Sequence, residues 1–463
     1  MSRPENASRV PVSEGLGWTA PSLYEGDLSH GRLTEVGAID PERSAEISAL
    51  SKSIIRITAG LDMHLRQKSK GKDFIIDAYA YRPKEREIDP QITPEEAIPD
   101  LWAHVRKIDQ IGLDNLAPEW QVIRDSQRAL AVFLEEKERL ARGEPKTPYE
   151  EYLEAVSGYQ PRLIPTNELD KNWENVIEIL KGMGEEFNRE SEGSVRAVIK
   201  RRSKDTLNTD PQEIERLFWR FDRRNRSQLA QILGPEIKNV RFDFRWEDTD
   251  AWWRFFEVMG IDGANYLRAN WNEQHRDSYD DGWIEVYAGH EPVHFIFGSK
   301  IAREISEGRL DQAAGLLVIP GPVGFQMEGM AQTIGDVADY GITQDCELAV
   351  ELYRMEKRAL SNGLYLVEHG MSVDMAAIRI RKFMPRLTLD QIRKTLKEGT
   401  ERPFERAFLP NYGMSDYAIM QLEERIGSVK AFFGYWFTRP LTPRQFLNPP
   451  LENLVNFEGS ALD

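Results

Sequence analysis

Two histidines flank a glutamate in the pentapeptide His-Glu-Pro-Val-His, residues 290 to 294. The chain has seven histidines among its 463 residues, so this spacing is unusual for its composition. On a helix, side chains at positions i and i+4 lie one above the other, as two ligands of a tetrahedral ion must. Glu291 is displaced around the helix and can reach a water molecule beside the ion. We therefore predict that His290 and His294 are metal ligands and that Glu291 is a general base.

A catalytic zinc site needs a third protein ligand and keeps its fourth position for water. Glu328, in "GFQMEGMAQTIGDVADYG", is the leading candidate because it follows the histidine motif on the flank of a second predicted helix. The adjacent Gly329 allows another segment or a ligand to come close. Two plainer alternatives stay open: inward histidines are often hydrogen-bonded core residues, and glutamates on helices are mostly solvated.

A helix over residues 283 to 305 places both histidines in one apolar stripe, with its members spaced three and four apart. These members are Trp283, Tyr287, His290, His294, Phe297, Ile301 and Ile305. Pro292 lies inside this segment and cannot donate a backbone hydrogen bond. We therefore predict that the helix begins near Gly289 or is kinked there.

Helical periodicity dominates the chain from about residue 42 onward. Residues 44 to 67 predict a helix capped by Ser44, and two long amphipathic segments end at Gly143 and Gly234. The alternating stretch "NVRFDFRW", residues 239 to 246, predicts a strand. The predicted fold is mainly α with minor β-structure.

The chain shows little sign of separate domains. Residues 1 to 40 are rich in Pro, Gly, Ser and acids and predict an irregular N-terminal arm. No low-complexity linker interrupts residues 41 to 463, so we expect one catalytic domain. Two lobes, 41 to 235 and 236 to 463, are the best division, with the motifs in the second lobe.

Charge and cysteine content limit the partners and the compartment. The net charge is -16, and basic residues cluster only in short runs such as "KRRSK", residues 200 to 204. This balance argues against a nucleic acid or an anionic membrane as the main partner. The single Cys346 excludes an internal disulfide framework and a four-cysteine metal site. Without a secretory signal or an apolar segment long enough to span a bilayer, we expect a cytoplasmic protein.

The two motifs, His290-Glu291-Pro-Val-His294 and Glu328-Gly-Met-Ala, resemble those of the gluzincin zinc peptidases, which include thimet oligopeptidase and the Taq-type carboxypeptidases. They are more similar to those of a helical bacterial family first catalogued as a domain of unknown function. That family carries His-Glu-x-x-Pro-Gly-His and Glu-Gly-Trp-Ala, so this chain has two residues fewer between its histidines. The resemblance implies a large, two-lobed helical metallopeptidase fold with a central cleft and Zn2+ as cofactor.

Later segments extend the resemblance. "LPNYGMSDYAIMQLEERIG" resembles a segment of the bacterial family that carries a functional tyrosine, which implies that Tyr417 donates to the oxyanion. Where that family has a histidine after its Arg-bearing helix, this chain has Val367, with His369 two positions later. His369 is therefore the candidate for that histidine's catalytic role.

The resemblance implies hydrolysis of a peptide or amide bond in a small substrate. Zinc would lower the pKa of its bound water to about 7, and Glu291 would pass the proton of that water to the leaving amine. Arg358, Arg379 and Arg381 are candidates for fixing a terminal carboxylate, and Tyr412 for lining the cleft. Solvated helix charges and a core aromatic are the alternatives for these four residues.

Two other functions remain open. Two histidines and one carboxylate also form the facial iron site of non-haem oxygenases. A non-catalytic protein with a vestigial metal site, binding a small ligand in the former cleft, is the second alternative.

Overall fold

The structure is a computed structural model that describes residues 41–69, 74–250 and 253–449. The arm predicted for residues 1 to 40 lies outside these ranges. The described chain is mainly helical with one small sheet, which confirms the predicted fold class. Contacts group the described residues from Ala45 onward into one compact unit. The division into two lobes at residue 235 stays a prediction.

The helices vary from single turns to segments of 29 residues. In chain order they are α1 (Pro41–Ser69), α2 (Pro94–Ile111), α3 (Glu119–Ala141), α4 (Tyr149–Ser157), α5 (Thr166–Gly182), α6 (Glu192–Asp205), α7 (Pro211–Leu233), α8 (Glu273–Arg276), α9 (Asp281–Ser306), α10 (Val323–Val337), α11 (Gln344–Glu368), α12 (Val373–Ile380), α13 (Leu389–Glu401), α14 (Pro403–Ile426), α15 (Phe433–Trp436) and α16 (Pro443–Leu447). Among the described residues, no helix is both long enough and apolar enough to cross a bilayer.

Five strands form one mixed sheet in the order β2-β4-β3-β1-β5. They are β1 (Ile76–Tyr79), β2 (Asp243–Glu247), β3 (Phe255–Met259), β4 (Asn265–Asn270) and β5 (Leu316–Val318). β1 pairs in parallel with β3, and β2 with β4, while β1–β5 and β3–β4 are antiparallel. The strand predicted over residues 239 to 246 corresponds to β2, which begins later, at Asp243. The sheet thus joins segments that are far apart in the sequence.

Most predicted helix ends agree with the structure. Helix α3 ends at Ala141, just before Gly143 with φ 72°, and α7 ends at Leu233, just before Gly234 with φ 96°. The cap predicted at Ser44 is wrong because α1 already begins at Pro41. A proline is well suited to the first turn of a helix, where its missing N–H would have no partner anyway.

Pro292 predicted a helix that begins near Gly289 or is kinked there; the first alternative is wrong, and the kink stays a prediction. Helix α9 starts at Asp281, where the Asp280 side chain accepts a hydrogen bond from the Trp283 N–H at 3.0 Å, and it continues through Pro292 to Ser306. Pro292 removes one hydrogen bond within the helix. The helix is nevertheless enclosed by apolar neighbours, and Val293, Phe295, Ile296 and Phe297 are all buried. Tertiary packing therefore outweighs the local cost of the proline.

Helix α9 packs against α7, α10, α11 and β3, and α14 packs against both α10 and α11. Two glycines allow these close approaches. A Cβ atom at Gly329 would lie 2.7 Å from Ile419 Cδ1, and one at Gly413 would collide with the Lys357 carbonyl. These glycines let α14 lie directly against α10 and α11, which brings Tyr412 next to Glu328 and Lys357.

Candidate metal centre

Three donor atoms from two packed helices converge beside a cavity. His290 and His294 project from α9, and Glu328 projects from α10. The two Nε2 atoms are 3.3 Å apart, His290 Nε2 is 3.5 Å from Glu328 Oε2, and all three donors lie within 4.8 Å of one another. Ligands at zinc distances in a tetrahedral arrangement are about 3.3 to 3.5 Å apart. The two separations from His290 Nε2 therefore match those of a tetrahedral site, and the third donor pair lies within 4.8 Å.

Both histidines are neutral near pH 7. Burial lowers the pKa of His290 to about 3, and the positive charge of Lys357 acts in the same direction. Burial lowers the pKa of His294 to about 4, although the charge of Glu328 opposes this shift. The contact between His290 and Glu328 is therefore not an ion pair at neutral pH. Each neutral imidazole keeps a lone pair that can bind a metal.

Glu328 Oε2 is buried and has no hydrogen-bond partner among the described residues. Burial also raises the pKa of this carboxyl group. A buried carboxylate oxygen without a donor costs free energy unless it is paired or binds a metal. This atom faces the His290 nitrogen, so its position fits that of a ligand to a cation.

Glu291 follows His290 on α9 and forms a side-chain hydrogen bond with Glu257 on β3. Burial, with the negative charges of Glu257 and Glu328, raises the pKa of Glu291 well above its ordinary value. Burial, with the charge of Glu328, raises the pKa of Glu257 to about 7. Two buried carboxyl groups that share a hydrogen bond cannot both ionise easily, so one proton is held between them.

Asp77 and Glu257 were missed by the sequence analysis. Asp77 on β1 forms a hydrogen bond with Glu257, and Glu257 Oε1 is 3.6 Å from His294 Nδ1. This separation is longer than a hydrogen bond, and His294 Nδ1 has no hydrogen-bond partner among the described residues, so Glu257 lies beside the ring without fixing its tautomer. Asp77 interrupts the apolar run "FIIDAYA", and Glu257 interrupts "FFEVM". An acid inside an apolar run is the sequence feature that could have indicated a buried functional carboxylate. Only the pairing of β1 with β3 shows that both acids reach the histidines.

Two tyrosines border the same donors. The Tyr412 hydroxyl donates a hydrogen bond to the Glu328 carboxylate, and the Tyr353 ring lies 6.4 Å from the His290 ring between centroids. Burial and the charge of Glu328 raise the pKa of both phenols well above 10. Both tyrosines therefore remain protonated and can donate hydrogen bonds to a bound substrate.

The donors open into a cavity of about 1150 Å³. Its lining includes His290, His294 and Glu328 together with Glu291 and Tyr412. A volume of this size exceeds what most small-molecule sites need, so a short peptide fits in it. With Arg381, the cavity thus brings together six of the candidate site residues that the sequence analysis singled out.

Tyr417 lies elsewhere, although it is only five positions after Tyr412 on α14. Its ring faces the Arg358 guanidinium at 5.4 Å, and it is not among the described residues that line the cavity. Arg358 donates to Asp416 at 2.7 Å and to Asn172 at 3.1 Å. The structure thus gives no geometric support to a catalytic Tyr417 or to a substrate-binding Arg358, because both belong to a buried structural network.

The remaining predicted residues divide between surface and cavity. His369 is 38% exposed and lies 2.6 Å from Glu150 between Nε2 and Oε1, away from the cavity lining. Arg379 is exposed on α12 and does not border the cavity either. Arg381 is exposed and does line it. Of the three arginines predicted to bind substrate, only Arg381 lies where it can do so.

The residues present fit a divalent cation. The donor set of two neutral imidazoles and one carboxylate is a catalytic zinc set, and it also suits iron. A second overlapping group, Glu257, Glu291 and the other nitrogen of His294, meets the same 4.8 Å distance limit. Its three donors include two carboxyl groups that share a hydrogen bond, so the first group fits zinc better.

No family model matches the chain. No curated protein matches it either. Among solved structures, the chain is similar to one described as a "putative lipoprotein from Colwellia psychrerythraea", with a TM-score of 0.52, 12% identity, and coverage of 79% of this chain and 70% of the other. It is also similar to a "putative lipoprotein of unknown function from Shewanella oneidensis", with a TM-score of 0.44, 12% identity, and coverage of 76% and 72%. At this identity the first similarity shows a shared fold and leaves the function to be argued from the site.

Proposed function

We propose that the protein is a zinc-dependent hydrolase that cleaves a peptide or amide bond in a small substrate. The observation that carries this proposal is the convergence of His290, His294 and Glu328 at tetrahedral spacing, with Glu291 beside them and a cavity in front. When bound, zinc would supply positive charge that lowers the pKa of a nearby water to about 7 and also lowers the pKa of the adjacent carboxyl groups.

Glu291 is the general base in this proposal. It lies on the histidine helix without being one of the three converging donors, and its carboxyl group reaches the cavity. Its hydrogen bond to Glu257 holds the group in place. Glu291 can accept a proton only after the pair has lost the one that it shares, and the positive charge of a bound zinc ion would favour that loss. Glu291 can then deliver the proton to the leaving amine.

Tyr412 is the proposed donor to the developing oxyanion, in place of Tyr417. Its hydroxyl lies beside Glu328 and lines the cavity, and its raised pKa keeps the proton on the phenol. The single O–H of Tyr412 donates to Glu328 in this structure, so it would serve the oxyanion by turning from Glu328 once that carboxylate binds the metal. A donor at the place where negative charge develops stabilises the transition state.

The first experiment measures metal content after purification without added metal. We expect one zinc ion per chain in the wild type and loss of zinc in His294→Ala with the fold retained. His369→Ala is the matched control, because this histidine lies outside the cavity and should leave the zinc in place. Wild-type protein without stoichiometric metal would contradict the proposal, and iron in anaerobically purified protein would redirect it to an oxygenase.

The second experiment tests the general base. Glu291→Gln should retain zinc and lose turnover on the order of a hundredfold or more, the usual share of general acid–base catalysis. Loss of zinc together with activity would make Glu291 a ligand or a structural residue.

A cytoplasmic location stays a prediction alongside this function.

A further inference from the structure

Lys357 presents an ammonium group to the cavity without a counter-ion. Its Nζ lies 4.0 Å from the Tyr412 ring centroid and 5.1 Å from that of Tyr353, and the residue lines the cavity. No carboxylate of the described residues forms an ion pair or a hydrogen bond with it. The acid whose charge most affects Lys357 is Glu328, and a metal ion at the centre would take up that charge.

Arg254 adds a second cation to this wall. Its Nη1 donates to the Tyr287 hydroxyl at 3.2 Å, whereas its Nε is buried without a hydrogen-bond partner in the described chain. Arg254 and Lys357 are close enough for their charges to repel each other. The nearby Arg386 is different, because it forms a two-pronged ion pair with Glu356, with Nε to Oε1 at 2.9 Å. The unpaired positive charge therefore resides on Lys357 and Arg254.

An unpaired cation in a partly enclosed site is costly unless an anion binds it. Glu356 also lines the cavity here, but it is paired with Arg386, and no acid of the described residues forms an ion pair with Lys357 or Arg254. The outer lining carries further basic residues, Arg196, Lys200, Lys204 and Arg381. The basic run "KRRSK" thus contributes Lys200 and Lys204 to the cavity. The lining also carries acids, among them Glu273, Asp277, Glu398 and Glu405, so the attraction for an anion is confined to the wall that Lys357 and Arg254 form.

Two aromatic rings lie near both the ammonium group and the metal donors. The Tyr353 ring centroid is 5.1 Å from Lys357 Nζ and 6.4 Å from the His290 ring centroid. Tyr412 contacts Lys357 with its ring and Glu328 with its hydroxyl. An anion held by Lys357 would therefore lie close to the bond that is cleaved.

We propose that Lys357 and Arg254 form an anion subsite, and that the substrate is a short peptide or N-acyl amino acid with a free carboxylate next to the scissile amide. This assignment rests on the proposed function and deepens it, because it makes the enzyme cleave at the carboxyl end of its substrate. It also replaces Arg358 and Arg379 as the groups that fix the carboxylate.

The test compares N-acetyl-alanyl-alanine with its C-terminal amide. Binding of both is measured by calorimetry to the zinc-loaded Glu291→Gln protein and to metal-free wild type, so that turnover does not interfere. We expect the acid to bind on the order of tenfold to a hundredfold more tightly than the amide, the usual value of a hydrogen bond between charged groups. Lys357→Met keeps an unbranched side chain beside the rings of Tyr353 and Tyr412 but removes the charge, so it should abolish this preference. Lys357→Arg keeps the charge and should keep most of the preference.

Lys238→Met is the control, because Lys238 is exposed and does not line the cavity. It should preserve the preference. Equal affinity for acid and amide, no detectable binding of either, or a preference that survives Lys357→Met would each overturn the subsite. If Lys357→Met fails to fold, Arg254→Met replaces it with the same criterion. An acid preference that depends on Lys357, in a protein that binds no zinc and cleaves neither probe, would keep the subsite and refute the hydrolase.

Discussion

Two clusters of buried charged groups near helix α11 differ in how their charges are balanced. The paired cluster comprises Arg354, Arg358 and Asp416, and the acid cluster comprises Asp77, Glu257, Glu291 and Glu328. In the paired cluster, Asp416 accepts from Arg354 Nε at 3.0 Å and from Arg358 Nε at 2.7 Å. In the acid cluster, carboxyl groups contact one another and two neutral histidines.

The protonation equilibria reflect this difference. Burial alone would raise the pKa of Asp416, but the charges of Arg358 and Arg354 outweigh it and lower that pKa. The pKa values of Asp77, Glu257, Glu291 and Glu328 are all raised by burial; neighbouring acids add to the shift for the first three, and Lys357 only partly opposes it at Glu328. A cluster that supplies its own counter-charges stabilises the fold, whereas a cluster that lacks them marks a place for a ligand.

Breaking the paired cluster should have the largest effect on stability. Asp416→Ala leaves two guanidinium groups buried without their carboxylate, and we expect a loss of about 3 to 5 kcal/mol in the free energy of unfolding. Urea denaturation measures this loss. Asp374→Ala is the control, because its ion pair with Arg393 is 70% exposed on the acid side and should be worth less than about 1 kcal/mol. Similar losses for the two variants would show that the paired cluster is not structural.

Two tyrosines on α14 allow the two clusters to be compared by their effect on turnover. Tyr412→Phe removes a hydroxyl from the acid cluster, and we expect turnover to fall about a hundredfold to a thousandfold, or roughly 3 to 4 kcal/mol of transition-state stabilisation. Tyr417→Phe removes a hydroxyl near the paired cluster and should leave turnover within a few-fold of wild type. Assays on the folded, zinc-loaded proteins decide between them. The reverse pattern would restore Tyr417 as the donor.

Zinc should stabilise the protein through the acid cluster alone. At free zinc about a hundredfold above its Kd, binding to the folded state adds roughly 2.7 kcal/mol to the free energy of unfolding. We expect a corresponding rise in melting temperature for the wild type and for Asp416→Ala, if the latter folds. His294→Ala should show no rise. A rise in His294→Ala would place the metal elsewhere.

The smallest effect concerns pH and the metal-free protein. The pKa of Glu257 is raised to about 7 in the folded state, so between its ordinary value and pH 7 the folded state binds more protons than the unfolded state. Stability therefore falls as pH rises through this window. His290 and His294 act in the opposite sense, because their lowered pKa values make acid destabilising below about pH 6.5.

In the presence of a chelator, the free energy of unfolding of the wild type should fall between pH 5 and pH 8. We expect this fall to be smaller by roughly 1 to 2 kcal/mol in Glu257→Gln, because the variant has no carboxyl group to titrate at this position. A difference between variant and wild type that is the same at both pH values would show that Glu257 does not hold a proton in the folded state.

The sequence by itself determined the local part of this arrangement. The His290–His294 spacing and the position of Glu291 follow from the period of one helix, and periodicity also predicted α3, α7 and the mainly helical class. Such patterns are readable because side chains three and four apart meet on any helix, whatever surrounds it. Glu328 was predicted from a second helix and a family resemblance, and the structure brings it to the histidines.

The tertiary structure decided which distant elements meet that helix. Asp77 and Glu257 reach the histidines because β1 pairs with β3, and no local pattern encodes this pairing. Tyr412 and Tyr417 have similar local sequence contexts, yet helix rotation directs the first to Glu328 and the second to Arg358. The physical reason is that long-range contacts are fixed by packing and burial of whole elements, so the partner of a buried charge can only be identified once the chain has folded.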